Sequence, residues 1–474
     1  MSHQKRTSIF GLQKSMSDFD SSYVPRRYPG LIHREKGSFH LFLHPVKPRW
    51  AVTNRLGREI IELCDGKNTI GLIAATTAKK FATDYAQVEG DAITFVRSLD
   101  KANLLLSDQE DSPGALPSPV NIKGFFLHLT ERCNLKCIHC YAADHNEEET
   151  GLSTRKIHDL IGELADRNGR AVTISGGEPL LRKDWYEILE HACDYFNVTL
   201  NTNGTLIDSK SVALLSKSKP LVQISLDGPN RAVHDKIRGK GTFNASISGV
   251  RRLLEAGLRD RLVISMTLMK QNIASAPEMI SFVEQLGVPK LRFLPLHSQG
   301  RARSSWSTLD ASTDDYLKWF DYVYYDQTAR STSIEISGGL TGFLLYMPAE
   351  GEENWCTIGR RVVIDHTGDM YPCALLMDEE FKLGNVNQVS LEEVEKSSKL
   401  RELTSACLSR REKIDKCELC TWRSLCQSGC PALILLEKGS LWETDDFCRF
   451  RGRLFEDTIF DVARAKERRS KSVA

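Results

Sequence analysis

The 474-residue chain has no apolar run approaching the roughly 18 to 20 residues needed to cross a bilayer, so no membrane partner is expected. Its beginning, MSHQKRTSIFGLQKSMSDFDSS, lacks an apolar core followed by a small-residue cleavage site and does not read as a secretory signal. A cytoplasmic protein is the expectation. There is also no excess of one charge: a formal net charge of +1 creates no global field toward nucleic acid or an acidic membrane. The basic stretch Arg464 to Lys471 reads as a solvated helix end. With 41% hydrophobic and 26% charged residues, the chain has the composition of a globular protein of two or three domains.

Cysteine is not scarce. Thirteen cysteines without a secretory signal, ten of them in two clusters, point to metal binding in a reducing compartment rather than to disulfides. Cys64, Cys193 and Cys407 stand apart and read as small buried hydrophobes. The first cluster, TERCNLKCIHCY, places Cys133, Cys137 and Cys140 in a CxxxCxxC array directly after an apolar run. Such soft ligands suit an iron–sulfur cluster, and the absent fourth thiolate leaves one iron open to a substrate or cofactor.

Residues 1–27 show no periodicity and read as a mobile N-terminus. Residues 28–106 read as a small winged-helix-like domain. Its strands are expected at Leu31–Arg34, Phe39–His44 and Trp50–Thr53, and its helices at Leu56–Cys64, Thr69–Phe81 and Tyr85–Leu105. The third helix lacks a basic stripe, offering Arg97 and Lys101 against Asp84, Glu89, Asp91 and Asp100, which argues against nucleic-acid binding. The runs NRLGREIIELCDGKNTIGLIAATTAKKF and DYAQVEGDAITFVRSLDKANLL resemble the peptide chaperone of pyrroloquinoline quinone biosynthesis. That resemblance implies capture of a precursor peptide through its leader segment, by strand addition to the sheet edge.

Residues 107–119, SDQEDSPGALPSP, read as a linker. Residues 120–310 alternate strand and helix patterns, with six strands from Phe125–Leu129 to Lys290–Leu294, and imply an α/β fold, a partial (β/α)6 barrel with its site at the C-terminal strand ends. The motifs fall there: the cysteine loop, Gly176-Gly177-Glu178-Pro179, Asn201-Thr202-Asn203-Gly204, and Ser225-Leu226-Asp227-Gly228 followed by Arg238. In this order they resemble the radical S-adenosylmethionine (radical SAM) superfamily. The resemblance implies that Cys133, Cys137 and Cys140 hold a [4Fe–4S] cluster whose fourth iron chelates SAM, yielding a 5′-deoxyadenosyl radical. It further implies Gly176, Gly177 and Glu178 at the methionine amino end, Asn203 and Ser225 near ribose and carboxylate, Arg238 pairing with that carboxylate, and Tyr141 facing adenine. Read locally, Asp227 and Asp235 are expected to bond turns or caps.

After a bridging helical segment, 311–355, a cysteine-rich C-terminal domain is expected at 356–450, then a C-terminal helix and basic tail at 451–474. Cys356, Cys373, Cys417, Cys420, Cys426, Cys430 and Cys448 follow C-x11-G-x4-C, C-x2-C-x5-C-x3-C and C, which resembles the SPASM extension of radical SAM maturases. Three [4Fe–4S] clusters are thereby implied, one binding SAM and two auxiliary. Family pattern assigns Cys417, Cys420, Cys426 and Cys448 to the outer auxiliary cluster and Cys356, Cys373 and Cys430 to the inner one. Two closed clusters need eight thiolates and this segment supplies seven. A non-cysteine group, Cys407 or a substrate thiolate could complete the inner cluster; the pattern does not choose among them.

The three parts together imply a maturase that installs a thioether or carbon–carbon cross-link in a ribosomally made peptide or protein, reduced by a donor such as flavodoxin or ferredoxin. The alternatives are maturation of a quinone or tetrapyrrole precursor and formylglycine-type sulfatase maturation. The last is disfavoured by Ala374, where those enzymes place an acidic residue after the second SPASM cysteine.

Overall fold

The computed structural model describes residues 19–106, 120–141, 151–326, 331–337 and 356–472, so the expected linker at 107–119 lies outside the described residues. Two compact units result. The first takes in residues 1–115 with 419–425 and 452–474; the second takes in 116–418 and 426–451.

In the first unit, β1 (Ile32–Lys36), β2 (Phe39–Leu43) and β3 (Trp50–Thr53) form an antiparallel sheet in the order β1-β2-β3. Helices α1 (Arg55–Leu63), α2 (Ile70–Phe81) and α3 (Tyr85–Lys101) follow. Their starts are set by side chains that accept an otherwise orphaned N–H: Asn54 from Gly57, Thr69 from Leu72 and Asp84 from Gln87. The apolar faces close on one core that includes Phe42, Ile60, Ile61, Ile73, Val96 and Leu99. The expected α3 stripe is thus core packing, but the helix ends at Lys101, earlier than Leu105. Asn103 turns left-handed (φ 52°) and the Leu104 N–H closes on the Leu99 carbonyl, a helix-ending turn that hydrophobic spacing does not encode. The described part of the expected mobile segment is also packed: Phe19 is buried in this core with Tyr23 against it, and Arg26 and Arg27 bridge to Asp65 and Leu105. Isolated aromatics carry no periodicity, so the sequence gives no warning of this.

The second unit is built on six parallel strands, each with its helices. They are β4 (Gly124–His128), β5 (Ala171–Ser175), β6 (Asn197–Thr202), β7 (Leu221–Ser225), β8 (Leu262–Leu268) and β9 (Lys290–Pro295). Between them run α4 (Thr154–Asp166), α5 (Trp185–Tyr195), α6 (Ser209–Ser218), α7 (Arg231–Arg238), α8 (Thr242–Glu255) and α9 (Ala276–Leu286). The bridging segment supplies α10 (Gly300–Ser304), α11 (Trp306–Leu309) and α12 (Thr313–Tyr325). The sheet is longer than the six strands expected. On one side β10 (Glu335–Ser337) joins β9 in parallel; on the other β11 (Arg361–Ile364) joins β4, followed by β12 (Asp369–Tyr371) and β13 (Gly384–Asn385). These additions span two to four residues each, too short for an alternating pattern to be read.

Pairing of β11 with β4 brings the cysteine-rich segment beside the strand that leads into the first cysteine loop. The remaining helices are α13 (Leu391–Lys396), α14 (Ser398–Lys413), α15 (Asp415–Glu418), α16 (Pro431–Lys438) and α17 (Cys448–Ser472). From residue 452 onward α17 counts with the first unit, where Asp457 and Glu456 pair with Lys36 and Arg34 of β1 at 2.5 and 3.7 Å. No helix among the described residues is long and apolar enough to cross a membrane.

Candidate functional site

Leaving β4, the chain enters the loop that carries Cys133, Cys137 and Cys140, and the C-terminal ends of neighbouring strands hold it by its backbone. Gly177 N–H donates to the Thr130 carbonyl (2.7 Å) and Glu178 N–H to that of Arg132 (2.8 Å). The two glycines are required by this approach. A Cβ on Gly176 would stand 2.4 Å from the Thr130 oxygen, and one on Gly177 would stand 2.3 Å from that of Arg132. Gly176 also adopts φ +131°, open chiefly to glycine. From the far side Arg301 donates its N–H to the Cys140 carbonyl and its Nε to the Cys137 carbonyl, both at 2.9 Å. Arg182 fixes the root of the loop through the Leu129 carbonyl (3.0 Å) and is itself paired with Asp184.

Glu178 is wholly buried, and its carboxylate accepts from the Thr202 hydroxyl (2.7 Å), Asn203 N–H (2.8 Å) and Leu180 N–H (3.2 Å). Burial pushes its pKa up to about 6. Asn203 reaches across to Asn134 of the cysteine loop (Nδ2 to Oδ1, 2.9 Å), while Ser225 closes β7, half-buried. Tyr141 directs its hydroxyl to His128 Nε2 at 3.2 Å.

Asp227 is not the local turn-former expected from its motif. It is fully buried, accepts from Arg238 Nε (2.5 Å) and from Thr267 N–H (2.9 Å) forty residues on, and lies 3.5 Å from His139 Nε2. Arg238 in turn points Nη1 toward Cys137 Sγ at 3.9 Å. The guanidinium holds the Asp227 carboxyl ionised against the cost of burial, and burial keeps His139 neutral with a pKa near 4. Asp235 does behave as expected, accepting the N–H groups of Gly241 and Phe243 at the start of α8.

The second set of cysteines separates by position. Cys356 precedes β11, Cys373 follows β12 and Cys430 caps α16, and their thiols are close enough to interact electrostatically. Cys426 and Cys448 neighbour Cys417 in the same way, while Cys420 falls in the 419–425 segment of the first unit. Several sulfurs already accept hydrogen bonds from backbone N–H: Cys133 from Leu135, Cys373 from Leu375 and Cys426 from Ser428, at 3.4, 3.4 and 3.3 Å.

Three family models match the chain: the radical SAM superfamily over residues 127–283, the SPASM iron–sulfur cluster-binding domain over 356–421, and coenzyme PQQ synthesis protein D over 40–105. The mycofactocin maturase MftC of Mycolicibacterium smegmatis is 32% identical over 313 residues, which is 64% of this chain and 76% of that protein. The chain belongs to the radical SAM superfamily. The Fe-coproporphyrin III synthase of Methanosarcina barkeri is 28% identical over 349 residues, 68% of this chain and 86% of its own. The structure of Streptococcus suis SuiB bound to the precursor peptide SuiA shares the fold, with a TM-score of 0.58 at 17% identity over 90% of this chain and 99% of SuiB.

Radical SAM membership implies SAM and iron–sulfur clusters, and the donor set fits them. All thirteen cysteines are outside disulfides, and the soft thiols gather where backbone N–H groups can stabilise thiolate. No trio of His, Cys, Asp or Glu among the described residues forms a single-ion site. The cysteine loop, Gly176 to Glu178, Asn203 and Ser225 lie at the ends of neighbouring parallel strands, and Arg238 ends α7. Sequence reasoning missed Arg301, Arg182, His139 and the reach of Asp227. Nothing in the spacing around Arg301 told that it would grip a loop some 160 residues upstream.

Proposed function

We propose that this radical SAM enzyme is a maturase that installs a cross-link, thioether or carbon–carbon, in a ribosomally made precursor peptide or protein. The observation that carries the reading is the joining of a radical SAM centre to a module matched by coenzyme PQQ synthesis protein D, whose three-stranded sheet ends in an edge strand, β3. The other edge strand, β1, is flanked by α17 through Lys36 and Arg34, so β3 is the edge on which a leader strand would pair. The likeness to MftC and the shared fold with peptide-bound SuiB support the same reading.

The residue roles follow. Cys133, Cys137 and Cys140 hold the SAM-binding cluster, and seven further cysteines, Cys356, Cys373, Cys417, Cys420, Cys426, Cys430 and Cys448, serve two auxiliary clusters, making three [4Fe–4S] groups. When bound and reduced, the first cluster and SAM supply a 5′-deoxyadenosyl radical able to take hydrogen from an unactivated carbon. Gly176 and Gly177 let the cysteine loop lie against the next strand end, and Arg301 fixes its far side. Glu178 orders Thr202 and Asn203; Asn203 with Ser225 would border the SAM ribose and carboxylate, and Tyr141 would border adenine. Arg238 is engaged by Asp227, so its first task is to keep a cation beside Cys137, with pairing to the SAM carboxylate secondary. A flavodoxin or ferredoxin in the cytoplasm provides the electron.

The likeness to the Fe-coproporphyrin III synthase supports a second reading, a tetrapyrrole substrate, which the peptide-capture module disfavours. The experiment is direct. Reconstituted enzyme with SAM and dithionite is assayed for 5′-deoxyadenosine, and short peptides encoded beside its gene are co-expressed with it and weighed by mass spectrometry. A mass loss of two hydrogens per link supports a cross-linking maturase. Turnover of an iron porphyrin with no change in any peptide would overturn it.

A further inference from the structure

The auxiliary clusters proposed above need eight thiolates, and the SPASM pattern in this chain supplies seven. We infer that Cys407, on α14, is the fourth protein ligand of the inner auxiliary cluster, so that this cluster is closed by the chain itself. The inference rests on the reading of Cys356, Cys373 and Cys430 as that cluster's other ligands.

Three observations carry it. First, the Cys356 and Cys407 thiols are neighbours, close enough for their side chains to interact. Secondly, α14 turns Leu400, Thr404, Cys407 and Arg410 inward on one face, and Cys407 is only 8% exposed, like Cys356 at 8% and Cys430 at 7%. Thirdly, Arg410, one turn beyond Cys407, locks that face against the segment that carries Cys430. Its guanidinium is fully buried and donates to the carbonyls of Gly429 (3.0 Å), Ser428 (3.1 Å), Leu441 (2.6 Å) and Glu443 (2.7 Å). No carboxylate takes part in those four bonds. This buried guanidinium, held by carbonyl oxygens and with the Asp445 carboxylate within electrostatic range, places a cation near the cysteine sulfurs, which suits a neighbouring cluster of net negative charge. Arg410 also lies within electrostatic range of the Cys407 and Cys430 sulfurs.

The consequence is chemical. With four protein thiolates, the inner cluster has no iron to offer a substrate cysteine unless Cys407 leaves. Its role becomes electron transfer, and a thioether product would not pass through substrate ligation at this cluster.

The test uses full-length protein with Cys133, Cys137 and Cys140 changed to Ala, reconstituted anaerobically so that only auxiliary iron is present. EPR and Mössbauer spectra of this background are expected to be unchanged by millimolar free cysteine. Adding Cys407→Ala is expected to open one iron: free cysteine then shifts the spectrum, and mild oxidation yields a three-iron signal absent from the parent. Cys407→Ser is expected to keep the iron and shift the g-values. A parent spectrum that already shifts with cysteine overturns the inference, even if the Ala variant does not fold. An Ala variant spectroscopically identical to its parent overturns it too. Absence of auxiliary iron in the parent would overturn the cluster reading itself, a result distinct from either.

Discussion

Arg238 donates to Asp227 through Nε at 2.5 Å with the carboxylate sealed from solvent, and the same guanidinium faces the Cys137 sulfur at 3.9 Å. One buried ion pair therefore links the end of β7 to the middle cysteine of the loop that follows β4. A pair of this kind adds little over an apolar substitute, but breaking it strands a charge. Asp227→Asn is expected to destabilise the apoprotein by roughly 3–5 kcal/mol, read by urea unfolding. A shift smaller than about 1 kcal/mol would mean the pair is relieved by solvent.

Gly177→Ala tests how closely the strand ends grip the cysteine loop. The new methyl would meet two main-chain oxygens, of Arg132 at 2.3 Å and Glu131 at 2.5 Å, and backbone cannot swing aside as a side chain can. The variant should fold with its auxiliary iron intact but lose about one cluster's worth, ~4 iron atoms. Its 5′-deoxyadenosine yield should fall at least 100-fold, about 2.7 kcal/mol in activation terms. Normal iron content with normal cleavage would show that the loop can retreat.

Asp184 provides a pH test. Its hydrogen bond to Arg182, helped by Thr154, depresses its pKa from 3.8 to about 2. A depressed carboxylate stabilises the fold above its unfolded pKa and loses that contribution as pH falls from about 4 through about 2. The apoprotein should therefore weaken more steeply on acidification over that window than Asp184→Asn does, by on the order of 1 kcal/mol given partial exposure. Parallel stability profiles for the two proteins would contradict the assignment.

The proposed leader site can be probed on β3 without removing the module. Deletion of residues 28–106 would also strip the C-terminal helix of its partners Lys36 and Arg34, so substitutions are cleaner. Along an edge strand alternate N–H groups face outward. Of Ala51→Pro and Val52→Pro, one removes an outward donor and the other breaks the pairing to β2. The variant that keeps its melting temperature should bind a fluorescent precursor peptide about tenfold more weakly, about 1.4 kcal/mol for a lost strand bond. Uncoupled SAM cleavage should be unchanged. Undiminished binding would move the leader off this edge.

By itself the sequence determined what depends on local pattern and on residue chemistry. The alternating strand and helix segments from β4 to β9 were legible because each is long enough for its period to show, and buried parallel strands read as apolar runs. The thiol array, the glycine pair and the Asn203 turn were legible because their chemistry needs those residue types at fixed offsets along one stretch of chain. What tertiary structure alone decided was every relationship between distant stretches. Phe19 joining the first unit's core, β11 extending the sheet beside β4, Asp227 facing Arg238 and Arg301 gripping the Cys137 and Cys140 carbonyls have no local signature. Cys407 is the sharpest case. A cysteine on a helix is a small hydrophobe by its sequence, and only the packing of α14, pinned by Arg410, brings its sulfur to that of Cys356.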